Sequence, residues 1–149
     1  MQRVDIYIAI DSASPRISKK MYGYVLECEV SGQAKTREGF GTAEGTYHFG
    51  ELTAMIAALE RLKQPCEVHI HSENDFVLSM LERNLKTWAA AGFVTTKGKP
   101  VANKELWMIV WKLSQKHLIK AEPGKHPYSE WLKEEMKKRS GLCLINSER

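Results

Sequence analysis

Between Val4 and Thr42 the apolar residues recur at every second position, and from His48 onward they recur about every 3.6, a switch that few folds accommodate. In the first run Val4, Ile6, Ile8 and Ile10 share one strand face, while Asp5, Tyr7, Ala9 and Asp11 share the other, so the strand ends in an acid. A polar turn with Pro15 leads to a second β-rich stretch, Tyr22 to Val30, and Ser31-Gly32-Gln33 turns the chain into a weaker third, Ala34 to Thr42. Three strands in succession predict an antiparallel meander. From His48 to Lys63 the stripe Leu52, Met55, Ile56, Leu59, Leu62 predicts an amphipathic helix closed by Pro65. Cys66 to Ser72 alternates as a short strand, and Asp75 to Leu85 is helical, with Phe76, Leu78, Leu81 and Leu85 in phase. Lys86 to Lys99 mixes Trp88, Phe93 and lysines around Gly92 and Gly98, and Asn103 to His117 returns to helical period through Leu106, Ile109, Val110 and Leu113. Leu118 to Ala121 is a candidate last strand, Pro123 to Pro127 breaks the chain, and Tyr128 to Arg139 reads as a charged final helix.

A chain of 149 residues, 43% apolar and 27% charged, suits one core and excludes disordered or collagen-like classes. Without a linker or repeat to divide it, the domain is expected to span residues 1–139, leaving 140–149 as a tail with too little pattern to assign. No apolar run approaches the roughly 18 residues of a membrane span. Asp5 falls where a signal peptide would need its apolar segment, so a cytoplasmic monomer is expected, with no membrane partner. Cys28, Cys66 and Cys143 are read as thiols, being odd in number and widely spaced. Charge is divided unevenly: residues 1–75 hold eight basic against eleven acidic residues, net −3, and residues 76–149 fourteen against seven, net +7. An acidic half beside a basic half suits a carboxylate-lined site next to a surface for a polyanion, although ordinary surface charge gives the same count.

Three acids stand where elements meet: Asp11 ends the first strand, Glu51 opens the long helix and Glu73 ends the fourth strand. At about 100° per residue Glu51 lies within about 40° of Met55 and about 20° of Leu62, beside the apolar stripe, whereas Glu60 falls opposite. A carboxylate aimed at a core edge needs a partner, and clustered carboxylates ionise together only with cations between them; hard oxygen donors suit Mg²⁺ or Mn²⁺. Taken singly, each acid is equally a solvated surface group or a helix cap.

These residues sit in motifs whose combination resembles the ribonuclease H family, of type 1, over nearly all of residues 4–138. The motifs are I-A-I-D-S-A-S, the Tyr22-Gly23 pair, T-Y-H-F-G-E-L-T-A-M-I-A-A-L, C-E-V-H-I-H-S-E-N, and W-A-A-A-G-F followed by G-K-P-V-A-N-K-E-L-W, similar to the family's basic handle. The resemblance implies a ribonuclease H-like α/β fold: a mixed five-stranded sheet, antiparallel meander first and parallel strands after, flanked by helices. It also implies metal-dependent endonucleolytic hydrolysis of the RNA strand of RNA/DNA hybrids, with two Mg²⁺ (or Mn²⁺) ions activating water and stabilising the leaving 3′-oxygen. Asp11, Glu51 and Glu73 then take the places of the first three metal-holding acids, Glu73 standing where the family has an aspartate. For the fourth, the final helix admits two registers. Matching Ser129-Glu130 to the family's Asn-Glu pair puts Lys133 at the acid's place, and a one-residue shift puts Glu134 there. The shifted register, with Glu134 as the fourth ligand, is preferred because it leaves Glu134 about 160° from Met136 on the apolar stripe.

By the same resemblance His126, in P-G-K-H-P, takes the catalytic role of the mobile-loop histidine, and Thr46 contacts a phosphate. Lys86, Lys97, Lys99, Asn103 and Lys104 face the nucleic acid, while Trp88 and Trp107 pack the handle; Asn103 is equally an N-cap. His69 and His71 share a strand face and are read as solvated rather than zinc-binding. Two asparagines that read the RNA strand in the family correspond here to Tyr47 and His48, and Asp11 is followed by Ser12-Ala13-Ser14 in place of Gly-Ser. Two alternatives follow from these departures: a catalytically degenerate nucleic-acid-binding module, decided by Lys133 against Glu134, and a nuclease of the same fold with another nucleic acid as substrate.

Overall fold

The computed structural model describes the backbone of residues 1–147 and the side chains of residues 1–141. Its strands are β1 (Gln2–Ile10), β2 (Ser18–Val30), β3 (Gln33–Gly45), β4 (Cys66–Ser72) and β5 (Leu118–Pro123), in the sheet order β3-β2-β1-β4-β5. β1 pairs antiparallel with β2 and β2 with β3, whereas β1–β4 and β4–β5 are parallel. This is the predicted mixed five-stranded sheet, its meander longer than the alternation suggested: β3 extends to Gly45 and registers along the whole of β2.

The helices are α1 (Tyr47–Leu59), α2 (Asp75–Arg83), α3 (Leu85–Ala90), α4 (Lys104–Ser114) and α5 (Ser129–Ser147). Helix α1 covers one face of the sheet, where Leu52, Met55 and Leu59 meet Ile6, Ile8, Val68 and Ile70 in the main core. On the other face α5 packs Leu132 and Met136 on Tyr7, Ala9 and Val25, with Met21, Phe40 and Tyr128 partly buried around them. Gly23 lies under this contact, where a Cβ would stand 2.8 Å from Phe40 Cε1 and 3.1 Å from Leu132 Cδ2. The glycine of the Tyr22-Gly23 pair therefore permits close approach of α5 to β2.

Three readings of the elements change. The helix expected from Asp75 to Leu85 is α2, ending at Arg83, and a further short helix, α3, occupies Leu85–Ala90 after Asn84, most of it in the stretch read as a mixed segment. Asn103 is no side-chain cap: its backbone is left-handed, with φ +59°, and its side chain makes no cap bond. The expected tail is helical from Ser140 through Ser147 as a continuation of α5; Glu148 and Arg149 lie outside the described residues. Cys28 and Cys66 are free thiols, and Cys143 is outside the described side chains.

Candidate active site

Parallel pairing of β1 with β4 brings their C-terminal ends side by side, and the first turn of α1 lies over that edge. There Ile8, Ala9, Ile10, Tyr47, Glu51, Ser72, Glu73, Ser129 and Lys133 enclose a cavity of about 20 Å³, room for one water or ion. Glu51 is completely buried. Its Oε1 accepts a hydrogen bond from Ser72 Oγ at 2.8 Å, while Oε2 is buried with no partner. Burial raises its pKa from 4.5 to about 8, opposed only by the Ser72 bond. Ser72 is itself buried and fixed by accepting from Asn74 N, and Asn74 caps α2 through Val77 N. No sequence signal singled out Ser72, a small polar residue on an otherwise apolar strand face. The Tyr47 hydroxyl, in the same wall, is pushed up to about 12 by burial and by the charges of Glu51, Glu73 and Asp75.

Lys133, rather than Glu134, reaches the cavity. Its Nζ donates to Glu73 Oε2 at 3.1 Å and to Oε1 at 3.4 Å, both side chains being about one-third exposed. Glu134, the expected fourth acid, instead faces solvent and pairs with Lys137 at 3.6 Å on its own helix. The helix phase explains the difference. Lys133 stands about 60° from Met136, at the edge of the buried stripe, whereas 160° carries Glu134 away from the sheet.

Asp11 follows Ile10 of the cavity wall, but its side chain does not line the cavity, and its Oδ1 accepts from Met21 N at 3.0 Å. Among the described residues no three His, Cys, Asp or Glu side chains are grouped closely enough to hold one ion. Glu51 offers a buried oxygen without a partner, and Mg²⁺ commonly takes one or two carboxylates plus substrate phosphates; the oxygens of Glu73 already face an ammonium.

His126 is not free for proton transfer. Its Nε2 donates to Ile8 O at 2.9 Å and its Nδ1 accepts from Tyr128 N at 3.2 Å, so both ring nitrogens tie the start of α5 to β1. Burial lowers its pKa. His69 and His71 are not solvated either: His69 is buried between Glu67 (2.7 Å) and Glu122 (3.0 Å), and His71 Nε2 meets Asp5 Oδ1 at 2.7 Å. Thr46 caps α1, its Oγ1 accepting from Phe49 N at 3.2 Å, which leaves its hydroxyl hydrogen to donate. Lys86, Lys97 and Lys99 are exposed, and Asn103 and Lys104 half-buried; Lys97 and Lys99 ride a turn closed by Thr95 N to Lys99 O at 2.7 Å. Trp88 and Trp107 meet edge-on at 5.4 Å and pack into the main core. The sequence reading missed an aromatic pair, His48 stacked on the exposed Phe76 at 4.6 Å, with Asn74 Nδ2 beside His48 Nδ1 at 3.0 Å.

The family model for RNase H matches residues 3–123, through the end of β5. The chain belongs to the ribonuclease H family. The ribonuclease H of Campylobacter curvus is 36% identical over 114 residues, covering 73% of this chain and 74% of that protein. The chain spans about half the length of other curated relatives, such as 53% of the ribonuclease HI of Xylella fastidiosa, to which it is 34% identical over 79 residues. Among solved structures, LC9-RNase H1, described as a type 1 RNase H with the type 2 active-site motif, superposes with a TM-score of 0.72 at 16% identity, over 89% of this chain and 69% of that one. A foamy viral protease-reverse transcriptase in complex with an RNA/DNA hybrid gives 0.62 at 21% identity, over 82% of this chain and 17% of that one. The family-model match stops before α5, the helix that carries Lys133. The chain thus shares the family's fold.

Proposed function

We infer that the protein hydrolyses the RNA strand of RNA/DNA hybrids with the help of a divalent cation. One observation carries this reading: the buried, unpartnered Oε2 of Glu51 at the sheet edge where family relatives would keep an acid. Leaving such a group unmatched is costly, and a cation entering with the substrate phosphate matches it. Glu51, with Asp11 at the end of β1, would hold Mg²⁺ or Mn²⁺. When bound, such an ion supplies polarisation of the phosphate and a water of lowered pKa. The chain's own residues do the rest. Ser72 holds the Glu51 carboxyl in one orientation, and Lys133 restrains Glu73. Lys86, Lys97, Lys99 and Lys104 set the duplex in register through its phosphates, with Thr46 and Asn103 as further contacts.

A second reading, a nucleic-acid-binding module that does not hydrolyse, is favoured by the Lys133–Glu73 pair, which removes one acid and engages another. Cleavage of a labelled RNA/DNA hybrid in Mg²⁺ or Mn²⁺, with Asp11→Asn and Glu51→Gln as controls, separates the two. Metal-dependent cleavage lost in both variants supports hydrolysis. Hybrid binding without cleavage by folded wild type supports the module.

A further inference from the structure

Lysine is among the side chains least often found fully inside a protein, yet Lys20 of β2 is 1% exposed. Its stem lies under the first turn of α1, where a Cβ added to Gly50 would stand 3.8 Å from Lys20 Cδ. Its Nζ donates to Arg16 O and to Ser18 Oγ at 2.8 Å each, and to Gly45 O at 2.7 Å. An ammonium has three hydrogens, so none is left over, and all three acceptors are neutral. Burying a cation among neutral acceptors is costly, and an apolar side chain would fill the same space at less cost. What the ammonium adds is a junction. Arg16 lies in the connection from β1 to β2 and Ser18 opens β2, whereas Gly45 ends β3 and precedes Thr46, the N-cap of α1. The two segments meet again where Tyr47 N donates to Ser14 O at 3.1 Å. Between these ties the connection bonds to itself, Ser14 N donating to Ser12 Oγ and Arg16 N to Ser14 Oγ, both at 3.2 Å.

We propose that Lys20 is a positioning residue, which clamps the β1–β2 connection to the start of α1 and so sets Asp11 relative to Glu51. Asp11 is bonded to Met21, the neighbour of Lys20 in the chain: Met21 N donates to Asp11 Oδ1 and Asp11 N to Met21 O, at 3.0 Å each. Glu51 stands one turn into α1, the helix that Gly45 and Thr46 lead into. The path from one acid to the other therefore runs through Met21, Lys20 and Gly45. Being buried, Lys20 acts through the carbonyls it holds rather than on substrate. Methionine copies the reach of its stem but donates nothing, and the planar fork of arginine cannot aim three hydrogens from one atom. The effect on rate rests on the hydrolase reading; the clamp itself does not.

The test is Lys20→Met in the full chain, with thermal melting to check folding. Amide exchange at Tyr47, whose N–H bonds to Ser14 O, is expected to be about tenfold faster in the variant, while amides of the β1–β4 ladder keep their rates. Hybrid cleavage is expected to lose about 10–10²-fold in kcat with KM within about twofold, because displacing the acids slows the step without weakening binding. Unchanged Tyr47 exchange in a folded variant overturns the clamp. Faster exchange with kcat unchanged, or a loss confined to KM, overturns the positioning role. Cleavage absent from wild type sinks the hydrolase reading instead, and the exchange comparison still decides the clamp. One arm needs no variant to fold: in nitrogen NMR of wild type, the hydrogens of the Lys20 ammonium are expected to exchange slowly with water. Exchange as fast as that of the exposed lysines overturns the clamp.

Discussion

A carboxyl as deeply buried as Glu51 carries its proton to high pH, and folding stability must report it. Its folded pKa of about 8 lies above the 4.5 of an unfolded chain, chiefly through burial. Between those values the native state holds a proton that the unfolded state releases, so stability is complete below about pH 4.5 and declines as pH rises through about 8. Denaturant titrations in chelator are expected to show wild type losing on the order of a few kcal/mol across this window relative to Glu51→Gln, whose amide does not titrate. Parallel pH profiles for the two proteins would remove Glu51 as the buried titrating group. The position was legible beforehand, because the helical angle set Glu51 beside the core stripe. Its partner was not: a serine on a strand gives no periodic signal, and only three-dimensional pairing makes Ser72 the donor. Lys133 and Glu134 are a subtler case, since both registers keep Leu132 and Met136 on the stripe. Choosing between them needed the depth of the groove beside α5, where a residue 60° from the stripe reaches the sheet edge and one at 160° does not.

At the scale of elements, α5 is the piece whose docking assembles the site. It brings Lys133 to Glu73, and it is fastened by Leu132 and Met136 on the face of the sheet opposite α1 and by the His126 bridge to Ile8 O. Leu132 is fully buried, so Leu132→Ala is expected to cost about 2–5 kcal/mol in chemical unfolding. Glu134→Ala, which removes only an exposed pair to Lys137, should cost under about 0.5 kcal/mol. Similar losses for both would mean that α5 is not held by its apolar stripe. The strands were readable because alternation and β-branched residues agree with one sheet face. Helix α3 was not, because six residues with Lys86 and Thr87 among them are too few to display a helical stripe.

Over the whole molecule, three lysines of the basic second half, Lys86, Lys97 and Lys99, are exposed on the handle and its turn. Exposed lysines there suit a duplex lying across the protein, with phosphates on the lysines and one strand at Glu51. Changing Lys97 and Lys99 to Ala is therefore expected to weaken binding and to flatten its salt dependence by roughly 0.9 unit of log–log slope for each phosphate no longer neutralised, the value for B-form DNA. An unchanged slope would place the duplex elsewhere. Which duplex is a separate matter, decided nearer the site, at Tyr47 and at His48, which stacks on Phe76; the resemblance matches Tyr47 and His48 to asparagines that read the RNA strand in the family. An aromatic surface accepts sugars and bases with less dependence on 2′-hydroxyl hydrogen bonds than amides do, so preference for the hybrid should be narrower than in relatives with asparagines. Competition binding among hybrid, DNA duplex and RNA duplex, repeated with Phe76→Ala, tests this. Hybrid is expected to bind tightest in wild type, and removing the exposed ring should weaken all three by comparable factors. Equal wild-type affinity for hybrid and DNA duplex would instead point to a nuclease of this fold directed at another nucleic acid.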